Sequence, residues 1–445
     1  MAHCLPKAIL TLSNSVYLRR RLQQTDMKYY IELTVRQKKT NTPVSYRGIK
    51  RIDLEIPYGA KRIPLTEQTD FAGASIYVTN NTANVYLFEL SQEVKSIDVT
   101  NSQVDKGSFK DVPDLVSGRY LVIIEDSTPW VKQRIGYNYG ATRKDVLLVV
   151  DGKAKNHTIS PYDNSWSRAT ATYCPVTAKK KRISNLKLYR NPGNRNMAFF
   201  VNIANQDNVV LSNISIYTPK DSLVNDVAIT ISNCTNVKLE NVTIDGTYSR
   251  LDYSGYGITM DNVWNSCFYR LKAHGNWGVF GDNNINKATF KNCDINRFDI
   301  HCYGRDVYFS SCVIRDVYNQ FSSVFGEVVF KNCLFSNCFP VAFGSSYNSY
   351  TKFNLIVKDC VVTNVGKKNC FIMMNGFNNP EINERPELTK REWPNIYVDG
   401  LIIFVENNQD YYLTIDSNKP IQMNDESIPT KIVLNRIKIQ NQTQQ

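Results

Sequence analysis

The feature that most constrains the fold is an internal repeat. Residues 233–246 (NCTNVKLENVTIDG) align without a gap on residues 262–275 (NVWNSCFYRLKAHG), and residues 205–218 (NQDNVVLSNISIYT) fit the same frame. Each unit reads apolar, x, apolar, x, hinge, apolar, x, apolar, which is two short alternating strands joined at one polar residue. Followed along the chain, the hinge falls at Asn185, Asn213, Asn241, Arg270, Asn292, Ser311, Asn332, Asp359, Gly400 and Arg436, at intervals of 19 to 41 residues. A nearly constant minimum with extra residues of variable length is the mark of a coil of fixed circumference whose loops are free to grow.

The residues after each hinge are apolar in pairs two apart, as in Ile214/Ile216, Val242/Ile244, Cys312/Ile314 and Ile437/Ile439. Period-two alternation sends one set inward and the intervening polar set outward, so stacked coils align like with like. An Asn at the hinge tolerates the left-handed backbone that turns the strand, and its amide can bond to the Asn of the next coil. No window repeats at i, i+3, i+4, i+7 over three turns, which excludes a helical reading. Cys293, Cys312, Cys333 and Cys360 share one inward column and are read as small hydrophobes. The sequons at Asn213 and Asn241 lie on the ladder, with the amides expected inside, so they do not imply glycosylation.

A chain of 445 residues with 42% hydrophobic and 21% charged side chains can bury a large core, which excludes disorder and a stapled mini-domain. Eleven cysteines without a CxxC pair, and only four histidines, supply neither a disulfide scaffold nor a zinc ligand set. No metal and no cofactor are expected. No stretch is apolar enough to insert in a membrane, and the basic run Arg19–Arg21 follows the short apolar patch Ala8–Leu12, the wrong order for an export signal. Of the net charge of +12, residues 1–50 carry +8, so basicity belongs to an N-terminal arm.

With the repeat and its hinges in view, residues 184 to about 440 resemble a right-handed parallel β-helix of the pectate-lyase type. Residues 49–81 (IKRIDLEIPYGAKRIPLTEQTDFAGASIYVTNN) resemble the first coil of such proteins. The fold expected is all-β: a right-handed single-stranded parallel β-helix, or solenoid, with an N-terminal arm and a β-rich capping region. The divisions are 1–48, a basic arm or attachment segment; 49–183, the first coils and capping region; and 184–445, the helix. Residues 82–183 fit either irregular early coils or a small inserted β-domain.

A parallel β-helix presents outward side chains one rung apart. Carboxylates on adjacent rungs stand ~5 Å apart and on alternate rungs ~10 Å, a range that brackets the separations used by glycosidases. The densest candidate is residues 298–306 (FDIHCYGRD): with Ile300 and Cys302 inward, Asp299 and His301 face solvent together, followed by Arg305 and Asp306. Candidate catalytic residues are Asp299, His301, Asp282 and Glu327. Candidate glycan-binding residues are Trp277, Tyr256, Asp261, Tyr303, Arg305 and Asp306, because aromatic faces beside carboxylates suit sugar rings. The plain alternative is a surface cluster, with Arg305 paired to Asp306 or Asp299 and His301 merely exposed.

The stretch FDIHCYGRDV, with a coil on each side, resembles β-helix proteins of bacteriophage tails, of the tailspike and tail-appendage type. That resemblance implies a virion protein, made in the host cytoplasm without a signal peptide. It would bind, and in many members cleave, host cell-surface polysaccharide, attaching to a tail or baseplate protein through its N-terminal arm and assembling as a homotrimer. No C-terminal β-sandwich or coiled coil follows the helix here. A non-catalytic structural or adhesive β-helix and a free polysaccharide lyase or glycoside hydrolase are the alternatives.

Overall fold

The computed structural model describes residues 44–45, 50–56, 63–81, 86–132, 140–159, 162, 169–190, 199–218, 227–245, 256–274, 278–322, 324–344, 352–366, 368–375, 394–406, 410–416, 419–420 and 431–441. Apart from the strand Val44–Ser45, the basic arm lies outside them. The chain winds into a parallel β-helix in which each strand pairs with its counterparts on the coils before and after. Asp207–Tyr217, Val227–Asp245, Tyr256–Tyr269, Gly278–Lys291 and Asp299–Ser310 stack in this way. The hinges expected from the repeat adopt the left-handed backbone, from Asn185 (φ 60°) to Arg436 (φ 51°).

In five of these coils two further hinges lie five and eight residues before it. The sets 205/208/213, 233/236/241, 262/265/270, 284/287/292 and 303/306/311 all have φ between 50° and 64°. Each set bends one coil three times, and Asn fills most positions because its short polar side chain is at ease there. The amides bond from coil to coil: Asn233 to Asn205 at 3.1 Å, Asn262 to Asn233 at 2.9 Å, Asn265 to Asn236 at 2.6 Å, Asn241 to Asn213 at 3.2 Å. The sequence expectation of an inward ladder needs correction at the third hinge, since Asn213 and Asn241 are exposed. The bend itself pushes that side chain outside the apolar column.

Inside, one continuous core runs along the axis. Phe268, Phe290, Phe309 and Phe330 stack with centroids 4.5, 4.7 and 4.8 Å apart, and Cys293, Cys312, Cys333 and Cys360 are buried free thiols in a neighbouring column. Among the described residues no helix is long and apolar enough to cross a membrane.

Residues 95–175 form a separate antiparallel sheet of five strands, Lys95–Ile97, Arg119–Lys132, Gly140–Val150, Lys153–Ala154 and Ala169–Pro175, inserted between the coil ending at Ser91 and the strand Lys181–Ser184. A six-residue helix, Asn101–Lys106, is closed by a Thr100/Gln103 capping box and by Gly107 at φ 58°. The insert lies along the flank of the helix, touching coils from Asp207 to Arg305. Arg119 pairs with Asp207 at 2.7 Å, Lys144 with Asp261 at 3.2 Å, Asn286 donates to the His157 carbonyl at 2.7 Å, and Arg305 to the Ile159 carbonyl at 2.9 Å.

Candidate functional site

The site is built across three coils. Tyr256 opens the strand Tyr256–Tyr269, and its ring lies over Gly281 on the next coil, where an added Cβ would stand 2.3 Å from the ring. Only glycine leaves that path open. The phenol thereby reaches the coil beyond and donates to Asp299 Oδ2 at 2.9 Å, while lying 2.7 Å from His301 Nε2. His301 Nε2 is also 3.0 Å from Asp299 Oδ2, and the two rings meet edge to face with centroids 5.3 Å apart. One carboxylate oxygen therefore gathers a phenol and an imidazole.

Behind this group stands Arg297, which is buried and donates through Nη2 to the same Asp299 Oδ2. Its guanidinium also reaches Gln320 Oε1 at 3.4 Å and lies 4.5 Å from the centre of the Tyr318 ring. The segment is pinned by Asn319, which accepts from the Phe298 amide at 3.0 Å and donates to the Pro340 carbonyl at 2.9 Å. Burial by itself would raise the proton affinity of Asp299. The Arg297 charge, the His301 ring and the hydrogen bonds from His301 and Tyr256 outweigh burial and hold the carboxyl below the usual range.

The side chain of Asp299 is 0% exposed and that of His301 is 15% exposed. The expected pairing of the two on one outward face is found, but Asp299 does not face solvent as expected. Tyr256 and His301 cover it, leaving themselves as the accessible groups. With Asp299 ionised, Nε2–H and the phenol O–H are its donors, and the other ring nitrogen of a neutral imidazole is an acceptor able to take a proton.

The remaining candidates divide by place. Tyr303 holds the hinge position filled by Asn in the preceding four coils, and its ring is buried in the core of the insert, beside Phe109, Val122 and Leu147. Asp261 is bound by Lys144 and by Asn284 Nδ2 at 2.9 Å, and Arg305 by the Ile159 carbonyl. These three residues seat the insert. Asp306, also at a hinge, accepts the Glu327 amide at 3.0 Å, and the Glu327 side chain bonds to Tyr308. Asp282 pairs in register with Met260 and Ile300 at a bulge, and its side chain, like all of Trp277, lies outside the described residues. The structure thus joins Tyr256, Asp299 and His301. It adds Arg297 and Gly281, which the sequence reading missed; a lone Gly in a strand was the available signal for close approach. Among the described residues no group of three or more His, Cys, Asp or Glu is placed to hold a metal.

No family model matches the chain. Over 127 residues it is 32% identical to a capsule K1-specific depolymerase of Klebsiella phage K64-1, an overlap of 25% of this chain and 14% of that relative. The chain therefore spans a minor part of that protein's length. Among solved structures it is similar to the tailspike of Pseudomonas phage phi297, with a TM-score of 0.49 and 14% identity over 89% of this chain and 69% of that one. It is also similar to the tailspike of Acinetobacter baumannii bacteriophage AP22 in complex with A. baumannii capsular saccharide, with a TM-score of 0.40 and 11% identity over 96% of this chain and 78% of that one.

Proposed function

We propose that this chain is the β-helix body of a phage tailspike-type protein that binds a host-surface polysaccharide across the face carrying Tyr256 and His301, and cleaves it there. The observation that carries the reading is the convergence of Tyr256, His301 and Arg297 on one oxygen of the buried Asp299. Such an arrangement orients an imidazole and a phenol for proton transfer and keeps the carboxylate as a fixed negative charge. A carboxyl held ionised by a buried guanidinium is a poor proton donor, which takes Asp299 out of the general-acid role that a two-carboxylate glycosidase requires. His301 and Tyr256 carry the protons, and β-elimination in a uronic-acid-containing chain suits them better than hydrolysis: one takes the proton from the ring carbon beside the carboxyl group, and the other protonates the leaving glycosidic oxygen as its bond to the neighbouring ring carbon breaks and the ring double bond forms. The capsule depolymerase with which the chain shares a segment supports the substrate class. In this reading residues 1–48 attach the protein to a virion tail, and the chain assembles as a homotrimer.

The test is incubation of the purified protein, and of His301→Gln and Tyr256→Phe variants, with capsular and cell-wall polysaccharides of candidate hosts. Reducing ends and the absorbance of unsaturated products are followed. The parent is expected to cleave one of them with a rise in absorbance, and each variant to lose roughly 100-fold or more in rate while still binding. Cleavage undiminished in both variants places the chemistry elsewhere. Binding without cleavage by the parent supports a receptor-binding or structural protein.

A further inference from the structure

A buried arginine beside the site has no part in contacting a glycan, yet its placement governs the groups that do. Arg297 and Asp299 are 2% and 0% exposed in their side chains, and the guanidinium meets the same oxygen that receives Tyr256 and His301. The other oxygen, Oδ1, is buried without a protein hydrogen-bond partner among the described residues. Among the described residues the anchoring of the carboxylate therefore falls on Oδ2, and Arg297 is the permanent charge among those anchors. Arg297 itself is held from a different coil, by the Tyr318 ring and by Gln320 Oε1.

We propose that Arg297 is a positioning residue that keeps Asp299 as a buried anion in one orientation, and through it fixes the orientation of His301 and Tyr256. The inference rests on the functional reading above, in that those two residues do the chemistry. Among the described residues, the titratable and charged groups facing the Asp299 carboxyl are Arg297 and His301 from its own segment and Tyr256 from two coils earlier; Tyr318, one coil later, faces Arg297. Without the guanidinium, the largest opponent of burial is gone, and the Asp299 carboxyl takes up a proton at higher pH.

The sign follows from linkage. In the parent the folded carboxyl lies below its unfolded value, so its contribution to stability is present above the unfolded value and is lost as pH falls through the folded one. In Arg297→Met the carboxyl is expected to rise above its unfolded value, which makes the penalty greatest at neutral pH and lets it fade on acidification.

The experiment measures thermal midpoints of the parent, Arg297→Met, Arg297→Lys and the Arg297→Met/Asp299→Asn pair, from about pH 7 down to about pH 4. Polysaccharide binding and turnover are measured over the same range. The Arg297→Met deficit in melting temperature is expected to shrink by at least half on acidification, to become flat with pH in the double variant, and to be partly relieved in Arg297→Lys. Turnover is expected to fall about 100-fold with binding changed less than twofold, and its acid limb to move up by about one pH unit. A deficit that is flat with pH in the single variant, or a turnover and pH profile equal to the parent's, overturns the proposal. If the parent cleaves nothing, the functional reading fails, and the melting series alone decides whether Arg297 holds Asp299 ionised. Should Arg297→Met not fold, Arg297→Lys is judged by the same two criteria.

Discussion

Replacing Gly281 with alanine is expected to reduce polysaccharide turnover by about 100-fold while leaving the solenoid folded. The backbone at Gly281 is not left-handed, so alanine is compatible with the strand itself; the obstacle is the Tyr256 ring, whose Cδ2 and Cγ would lie 2.3 and 2.5 Å from the new methyl. Cγ is the root of the ring, so a small rotation at its far end gives no relief. The ring must leave, and with it go the bonds from the phenol to Asp299 and His301. His301 keeps its contact to Asp299 but loses the neighbour that fixes its tilt. Since alanine acts through Tyr256, Tyr256→Ala and the Gly281→Ala/Tyr256→Ala pair should show the same loss, a strongly non-additive cycle. Parent-like turnover in Gly281→Ala would mean that the phenol has no place in the reaction, and additive losses in the pair would mean that the alanine acts otherwise than through Tyr256.

The largest effect on stability is expected at Phe309. Its side chain is 1% exposed, stacks on Phe290 at 4.7 Å and Phe330 at 4.8 Å, and meets Phe298 edge to face at 5.7 Å. Phe309→Ala removes the middle of a column that neighbours on both sides cannot refill, because each is held by its own rung. The expected cost is about 3–5 kcal/mol by denaturant titration. Phe309 lies on the site strand Asp299–Ser310, so loss of turnover should accompany loss of stability. A change under about 1 kcal/mol would show that the column is loosely packed.

Much of the helix was readable because its information is local and repeated. Alternation two apart identified inward columns, and the hinges from Asn185 to Arg436 are left-handed as that reading requires. The other two hinges of the five coils from 205 to 311 were not legible from alternation, which marks the strands and not every bend between them. Laying residues 303, 306 and 311 on 262, 265 and 270 would have put Tyr303 and Asp306 at bends instead of in a groove. The insert was harder: residues 82–183 fitted two readings, because what its strands pack against depends on pairs such as Arg119–Asp207 and Lys144–Asp261, which are remote in sequence. At the site, Asp299 and His301 were found by their spacing. The burial of Asp299 was not legible, since it comes from a tyrosine 43 residues earlier crossing a glycine on the intervening coil.

The most direct measurement is a crystal structure of the protein with a purified oligosaccharide of the polysaccharide it binds. The expected result is a saccharide lying across the face at Gly281, with oxygens within hydrogen-bond distance of the Tyr256 phenol and the His301 ring and none touching the buried Asp299. A saccharide bound on another face, with Tyr256 and His301 uncontacted, would contradict the assignment of this site.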